Sequence, residues 1–341
     1  MKTEYVSIIT PTYNSENVIG QCLEAIAVQD YPKDMFEVII ADAGSKDKTL
    51  EIINSFKDRL NITIYENPLK TGEAGKSVAL EKAKGGIVAL IDSDNVMPDS
   101  TFISKMVKPF EEDAEIIGTE PLYFESRKQE APLTRYFALA GINDPLCLFI
   151  GNYDRHSYIT GKWTGLDLKV EDKGGYLKIN LEASKMPTIG ANGTFMKKAL
   201  LLKTNYKPYL FDIDSVYEIV EQGYTKFAKV KTGIVHIYSP SLSIFVKKQN
   251  RRISDFMHFN KAQQRVYPWK KFPIKAVVWF AVCCLTVLPL LFQMVAGFIR
   301  KKTWVWIFHI AVCELTLLVY AWQFIKAKMI GKTAMKNRDN W

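Results

Sequence analysis

Ile87-Val88-Ala89-Leu90-Ile91 is an uninterrupted apolar run that ends on Asp92-Ser93-Asp94, and no other stretch limits the possible folds as tightly. A run this short and apolar reads as a strand buried on both faces, as in the middle of a parallel sheet. Carboxylates have no place inside such a sheet unless paired or bound to a cation. Asp92 and Asp94 therefore belong where the strand leaves the sheet, at the carboxyl end, where open α/β sheets bind ligands. Residues two apart in extended backbone point the same way, so the two can address one ligand. Two oxygen donors suit Mg²⁺ or Mn²⁺ completed by water and phosphate oxygens, not an all-protein cage. The alternative is a plain polar exit from a strand, which a lone Asp-x-Asp usually is.

The preceding segments supply the rest of the sheet. Val6 to Thr10 is β-rich and is broken by Pro11-Thr12-Tyr13-Asn14. Val18, Cys22, Leu23, Ala25 and Ile26 recur at helical spacing, with Ser15 placed to cap. Glu37 to Asp42 reads as the next strand, Leu50, Ile53 and Phe56 as one face of a second helix, and Ile62 to Tyr65 as a third strand. A helix over Ser77 to Lys84 then leads to Ile87. Strands alternating with helices of this length predict a parallel sheet with right-handed crossovers, an α/β fold of nucleotide-binding type. The turn after the first strand lacks the Gly-x-Gly-x-x-Gly of dinucleotide-binding folds. Gly72-Glu73-Ala74-Gly75-Lys76-Ser77 ends like a phosphate-binding P-loop, but its glycines are too close for that loop's arc. Lys76 remains a candidate phosphate or base contact.

Composition narrows the partners. The 341 residues carry a net charge of +9, which calls for an anionic partner. No zinc-finger spacing or RNA-binding aromatic signature is present, so nucleic acid is not favoured. The five cysteines form no Cys-x-x-Cys pair, and Cys283, Cys284 and Cys313 lie in strongly apolar segments, as reduced thiols do. Met1 to Tyr5 runs straight into a strand without a signal-type apolar region, so a cytosolic catalytic domain is expected.

Taken together, Pro11-Thr12-Tyr13-Asn14, Ala41-Asp42-Ala43-Gly44-Ser45, Gly75-Lys76-Ser77 and Asp92-Ser93-Asp94 resemble the family 2 glycosyltransferases of the GT-A fold, over about residues 5–255. The resemblance implies a mixed, mainly parallel central sheet and a nucleoside-diphosphate sugar as donor, most often a UDP-sugar. It implies donor contacts from Pro11, Tyr13, Asn14, Lys76 and Ser93, and a base contact from Asp42. Ala43 stands where many members have a second aspartate. Asp92 and Asp94 match the motif that holds the diphosphate through a divalent metal. Phe211-Asp212-Ile213-Asp214 resembles the Glu-Asp segment, with Phe211 in place of the glutamate. Asp212 falls on the position of the catalytic base and Asp214 is its understudy. The alternative for both is a pair of acids favoured by a helix N-terminus. Gly190, Asn192 and Gly193 match a glycine-rich strand on the acceptor side. His236 matches a histidine that often reaches the metal or diphosphate; a purely structural histidine is the alternative. Gln249-Asn250-Arg251-Arg252-Ile253 resembles the Gln-x-x-Arg-Trp motif of synthases, with Ile253 replacing the tryptophan, and Arg252 could grip diphosphate. A basic surface facing lipid headgroups is the other reading.

Outside these motifs, Trp163 to Val170 and Gly175 to Leu181 alternate around Glu171-Asp172-Lys173-Gly174, a hairpin signature. The hairpin is expected beside the site, shaping acceptor choice. Residues 256–272 mix aromatics and bases as an interfacial helix does. Ala276 to Ile299 and Thr303 to Ile325 are long apolar runs separated by Arg300-Lys301-Lys302. At 1.5 Å per residue, 24 residues reach about 36 Å, enough to cross a hydrocarbon core of about 30 Å. Glu314 inside the second run should be neutral, face the partner helix or mark a shallow segment. A hairpin of two spans over 273–326 with a basic cytosolic tail over 327–341 is expected, and two interfacial or re-entrant helices are the alternative. The catalytic domain is placed at 1–255. The whole chain reads as a membrane-anchored, inverting, metal-dependent transferase using a lipid acceptor at the cytosolic face. A glycan hydroxyl acceptor and a catalytically silent scaffold are the alternatives.

Overall fold

A computed structural model describes residues 4–261, 265–268 and 273–329. Its centre is one ten-stranded sheet. The strands are β1 (Val6–Thr12), β2 (Phe36–Asp42), β3 (Ile62–Glu66), β4 (Ile87–Leu90), β5 (Asn95–Val96), β6 (Gly118–Phe124), β7 (Lys169–Asp172), β8 (Tyr176–Asn180), β9 (Thr194–Lys197) and β10 (Lys226–His236). Their order is β3-β2-β1-β4-β9-β6-β10-β8-β7, with β5 paired to the end of β10. β1 to β4 are mutually parallel, and β6 and β10 run the same way, because β9 is antiparallel to both β4 and β6. The sheet is thus mixed and mainly parallel.

The helices in chain order are α1 (Ile19–Ala27), α2 (Thr49–Asn54), α3 (Gly72–Lys82), α4 (Phe102–Glu112), α5 (Pro132–Ala140), α6 (Leu146–Ile150), α7 (Lys198–Leu201), α8 (Asp212–Glu221), α9 (Leu242–Lys261), α10 (Ile274–Thr286), α11 (Leu288–Arg300) and α12 (Phe308–Met329). Every residue of β4 is buried. Two apolar cores cover the sheet, one built on Ile8, Val38, Ala89 and α4, the other on Ile9, Ile39, Val88 and α8. α3 begins earlier than its periodicity suggests. The hydroxyl of Thr71 accepts from the Ala74 amide at 3.1 Å and caps it, so the Gly-Lys-Ser stretch lies inside a helix rather than in a phosphate-cradling loop. Gly75 is required there: a Cβ would stand 2.9 Å from that of Pro11. Its absence lets α3 lie against β1.

The expected hairpin forms over β7 and β8, but as the edge of the sheet, with β8 paired to β10. Residues 163–168 are not strand. Of the segment read as interfacial, 256–261 continue α9. Phe259 is buried against Phe211 and Tyr209, and Tyr267 against Tyr217.

The first expected span, Ala276 to Ile299, is not one helix. It breaks at Val287 into α10 and α11, bent 91° to one another. Trp304–Ala327 is long and apolar enough to cross a membrane, while α10 and α11 reach that length only if taken together. The expected basic tail lies outside the described residues beyond Met329.

Candidate active site

The carboxyl ends of β1, β2, β4 and β10 meet at one rim. The register sets Thr12 beside Asp42, and the antiparallel pairing of β5 with β10 sets His236 opposite Asn95. The Ile237 amide donates to the carbonyl of Asp94 at 2.9 Å. His236 Nε2 consequently lies 3.5 Å from Asp94 Oδ2. Two residues far apart in sequence are joined by strand pairing alone.

Asp92 and Asp94 stand in unlike surroundings. Asp92 Oδ1 is buried and makes no hydrogen bond; Lys76 Nζ lies 3.4 Å away. Burial works to raise the Asp94 carboxyl, but His236 first, and then Lys248 at 3.9 Å, outweigh it and hold it at about 2. These are hard oxygen donors with one imidazole, and an orphaned carboxylate oxygen among them is what a cation would satisfy. No cluster of three or more His, Cys, Asp or Glu side chains suited to a metal occurs among the described residues. Two carboxylates alone would suit a Mg²⁺ or Mn²⁺ ion that draws its other positions from water and phosphate.

Lys76 ties this pair to Asp212. Its Nζ donates to both oxygens of Asp212, at 2.9 and 3.2 Å. Lys76 is only 6% exposed. Burial opposes its charge, yet Asp212 and Asp92 outweigh burial and raise its pKa. Asp212 sits at the start of α8. Burial pushes its carboxyl up to about 6; Lys76 opposes that shift and Asp92 adds to it. A carboxyl with that pKa can take up a proton near neutrality.

On the other flank, Asn95 Nδ2 donates to Asp94 Oδ1 at 3.2 Å and to Asn192 Oδ1 at 3.0 Å. Gly193, at φ +87°, turns the chain between Asn192 and β9, and its amide donates to Leu90 of β4. Gly190 precedes them, its carbonyl accepting from the Thr194 hydroxyl at 2.5 Å. Beyond β1, Pro11, Tyr13 and Asn14 form the lip beside Asp42. The Asn14 amide donates to Ser45 Oγ at 2.9 Å, and Tyr13 is 45% exposed. Asp42 accepts from Thr12, from the Ser45 hydroxyl and from the amides of Gly44 and Ser45, so its carboxylate shapes the loop. Ser93 Oγ lies 3.1 Å from Ser15 Oγ.

Three expected site residues are not brought into this group. Asp214, two residues from Asp212 but on a helix, faces Arg265 at 2.6 Å and accepts from the amides of Val266 and Tyr267. It anchors the chain after α9. Gln249 is fully buried; its Oε1 accepts from Arg252 and Tyr320, and its Nε2 donates to the Asn143 carbonyl. Arg252 also donates to that carbonyl, at 2.7 Å. The Gln-x-x-Arg pair thus joins the loop before α6 to α12.

Two features escaped the sequence reading. One is Lys248, beside Asp94 and donating to the Tyr238 carbonyl. The other is a buried charge cluster under the Asn192 loop. Glu120 of β6 pairs with Lys229 of β10 and with Arg155, and Arg155 donates to the Asn192 carbonyl at 3.1 Å. Burial lowers the Lys229 amine to about 8 and raises the adjoining Asp154 carboxyl to about 7. A glutamate inside a strand was the available signal. Arg155→Ala should cost about 3–5 kcal/mol of stability, because it strips a buried carboxylate of one partner. Urea unfolding checks this; a loss under about 1 kcal/mol would show that Lys229 alone satisfies Glu120.

Comparison with known proteins agrees with this fold. The family model described as Glycosyl transferase family 2 matches residues 7–171. The poly(ribitol-phosphate) beta-N-acetylglucosaminyltransferase TarS of Staphylococcus aureus is 40% identical over 97 residues, 28% of this chain and 17% of its own length. A dolichyl N-acetyl-alpha-D-glucosaminyl phosphate 3-beta-D-2,3-diacetamido-2,3-dideoxy-beta-D-glucuronosyltransferase of Methanococcus voltae is 31% identical over 110 residues, 31% of this chain and 34% of its own. These matches span 17% and 34% of the two relatives. The mannosyltransferase PcManGT of Pyrobaculum calidifontis, solved with GDP-Man and Mn²⁺, superposes with a TM-score of 0.54 at 18% identity, over 95% of this chain and 88% of that one. That likeness establishes the fold. Residues 7–171 are a family 2 glycosyltransferase domain, set in an α/β sheet of the GT-A type.

Proposed function

We propose that this chain transfers a sugar, with inversion, from a nucleoside-diphosphate sugar, a UDP-sugar in the first instance, to a lipid acceptor at the cytosolic membrane face. The observation that carries the proposal is the row Asp94, Asp92, Lys76, Asp212 at the carboxyl rim of β4. It sets a cation-binding end opposite a carboxylate of raised pKa. A divalent cation held by Asp92 and Asp94, with His236 at its edge, would supply positive charge to the departing diphosphate. The chain's own residues do the rest. Lys76 fixes the rotamer of Asp212 and adds fixed positive charge between the two ends. The acceptor oxygen bonds to the anomeric carbon as the bond from that carbon to the diphosphate oxygen breaks, and the electron pair leaves with the diphosphate. This single displacement inverts the centre. A hydroxyl acceptor gives its proton to Asp212; an ionised phosphate acceptor has none to give. Asn192 and Gly193 border the acceptor side.

The lipid acceptor is supported by the apolar C-terminal helices, which adjoin the site through α9, and by the lipid-linked acceptor in the Methanococcus relative's name. A polymer hydroxyl, as the Staphylococcus relative's name implies, is the second reading. The test is release of nucleoside diphosphate from a panel of UDP- and GDP-sugars by detergent-purified chain with Mn²⁺ or Mg²⁺, with and without polyprenyl phosphate. Release from one donor that depends on the lipid supports the proposal. Release stimulated only by hydroxyl acceptors moves the function to the second reading. No release from any donor, and no rise in melting temperature with nucleoside diphosphate and metal, would leave a silent scaffold.

A further inference from the structure

The C-terminal helices carry a large uncovered apolar surface. On α11, Leu288, Leu291, Phe292, Val295, Phe298 and Ile299 are exposed, a single stripe at helical spacing. The opposite side of α11 is docked: Gln293 Oε1 accepts from His309 Nε2 of α12 at 2.7 Å, and Gly297 lies under the Trp306 ring. α10 is built alike. Ile274, Val278, Val282 and Leu285 face outward, while Phe280 packs on Phe149 of α6 at 4.9 Å. Exposed Trp279, Trp304 and Trp322 fringe the surface. Residues 273–329 hold six bases (Lys275, Arg300, Lys301, Lys302, Lys326, Lys328) and one acid, Glu314.

None of these helices is arranged to cross a bilayer. α10 and α11 have 13 residues each, about 20 Å of rise against about 30 Å of hydrocarbon. α12 is long enough, but the catalytic domain holds it along its length. His309 bonds Tyr136 of α5 at 2.8 Å, Tyr320 bonds Asp144 and Gln249, and Gln323 bonds Asn250 of α9. Those contacts extend from 309 to 323, about 21 Å of helix. The decisive contact lies at the loop joining the two expected spans. A spanning hairpin would place Arg300 to Thr303 across the bilayer from the catalytic domain. Here Arg300 donates to the carbonyls of Tyr158 and Ile159, at 3.3 and 2.8 Å, and Lys301 stands over the Tyr158 ring at 5.8 Å.

We infer that α10 and α11, fringed by α12, form a monotopic anchor that lies in one leaflet of an anionic bilayer, with the 300–303 loop on the same side as the active site. The stripe supplies the buried apolar face, the tryptophans suit the headgroup level, and the five exposed bases Lys275, Arg300, Lys301, Lys302 and Lys326 match anionic headgroups. A bilayer fits better than a second copy of the chain, because a like surface bearing five exposed bases would repel itself.

The test uses the full chain added from outside to preformed vesicles of phosphatidylcholine with or without phosphatidylglycerol. Lys302→Cys and Lys57→Cys, both exposed positions, are probed with a membrane-impermeant maleimide. The native thiols are buried or half-buried and leave little background. Lys57 reports the catalytic domain, and only preparations in which Lys57→Cys reacts completely are read. The expected result is equal labelling at Lys302→Cys, stronger flotation with phosphatidylglycerol, and flotation at least tenfold weaker in Leu285→Glu/Phe292→Glu. Reaction of Lys302→Cys only after detergent would overturn the inference in favour of a spanning hairpin. A stable dimer that does not float would assign the surface to a second copy. Equal flotation on both lipids would remove the anionic partner. The labelling reads topology whether or not the transfer reaction is as proposed, so the two can fail separately.

Discussion

Asp94→Ala should lower the transfer rate by about 10³ at saturating Mn²⁺ without unfolding the domain. Two effects combine. The variant leaves a cation one carboxylate, Asp92, and loss of that electrostatic support is worth about 4 kcal/mol of barrier, on the order of 10³ in rate. It also frees His236, 3.5 Å from the missing oxygen, and Lys248, 3.9 Å from it. The Lys248 ammonium and the His236 imidazole would still contact diphosphate, but without the geometry of a bound ion. Donor affinity should therefore fall less than turnover. The measurement is nucleoside diphosphate release, with melting temperature as the control for folding. Chelation with EDTA should impose a similar loss on the parent chain and little further loss on the variant. A variant within tenfold of the parent, or a parent indifferent to chelation, would contradict a cation at Asp92 and Asp94. The same assay separates Lys248 from the pair. Lys248→Met should weaken donor binding by about tenfold, or about 1.4 kcal/mol, if its ammonium reaches the diphosphate, and leave the metal requirement intact.

How much of this was legible in the sequence depends on what kind of information each element needs. β1, β2 and β4 were readable because each is a largely apolar run bounded by a breaker or an acid, and burial on both faces leaves little else they could be; β3, the half-exposed edge strand, was readable from its β-rich alternation. The placement of Asp92 and Asp94 at the rim followed from the cost of burying a carboxylate. α3 was less readable, since two glycines argue against a helix; Gly75 is there for close approach to Pro11, a tertiary reason. Asp212 and Asp214 look equivalent when read as a motif. On a helix, residues two apart diverge by about 200°, so one faces Lys76 and the other Arg265. Gln249 and Arg252 carried a motif, but their partners Asn143 and Tyr320 lie more than 65 positions away on either side. Hydropathy counts composition alone, and neither the bend at Val287 nor the contact of Arg300 with the catalytic domain leaves a trace in it. The pairing of Glu120 with Lys229 was within reach, as a lone glutamate in an apolar strand demands a partner.

Asp212→Asn separates the two acceptor chemistries. With a hydroxyl acceptor the carboxylate must take the proton, so the amide should reduce kcat by about 10²–10⁴. With a polyprenyl phosphate the nucleophile is already ionised, and the variant should lose only orientation and local charge, about tenfold. The pH dependence sharpens the distinction. Burial holds the Asp212 carboxyl up at about 6, so the basic, deprotonated form grows as pH rises through that value. Activity toward a hydroxyl should therefore show an acid limb near pH 6 that disappears in the variant along with most of the rate. A phosphate monoester titrates near the same pH, its second pKa being about 6, so an acid limb alone decides nothing. A limb that persists in Asp212→Asn belongs to the acceptor. Lys76→Met is the companion measurement. Without the ammonium, Asp212 loses the opposing charge that restrains its pKa, and the limb should move to higher pH. Equal and severe loss with both acceptors would mean that Asp212 serves the donor side through Lys76, and that the proton leaves by another route.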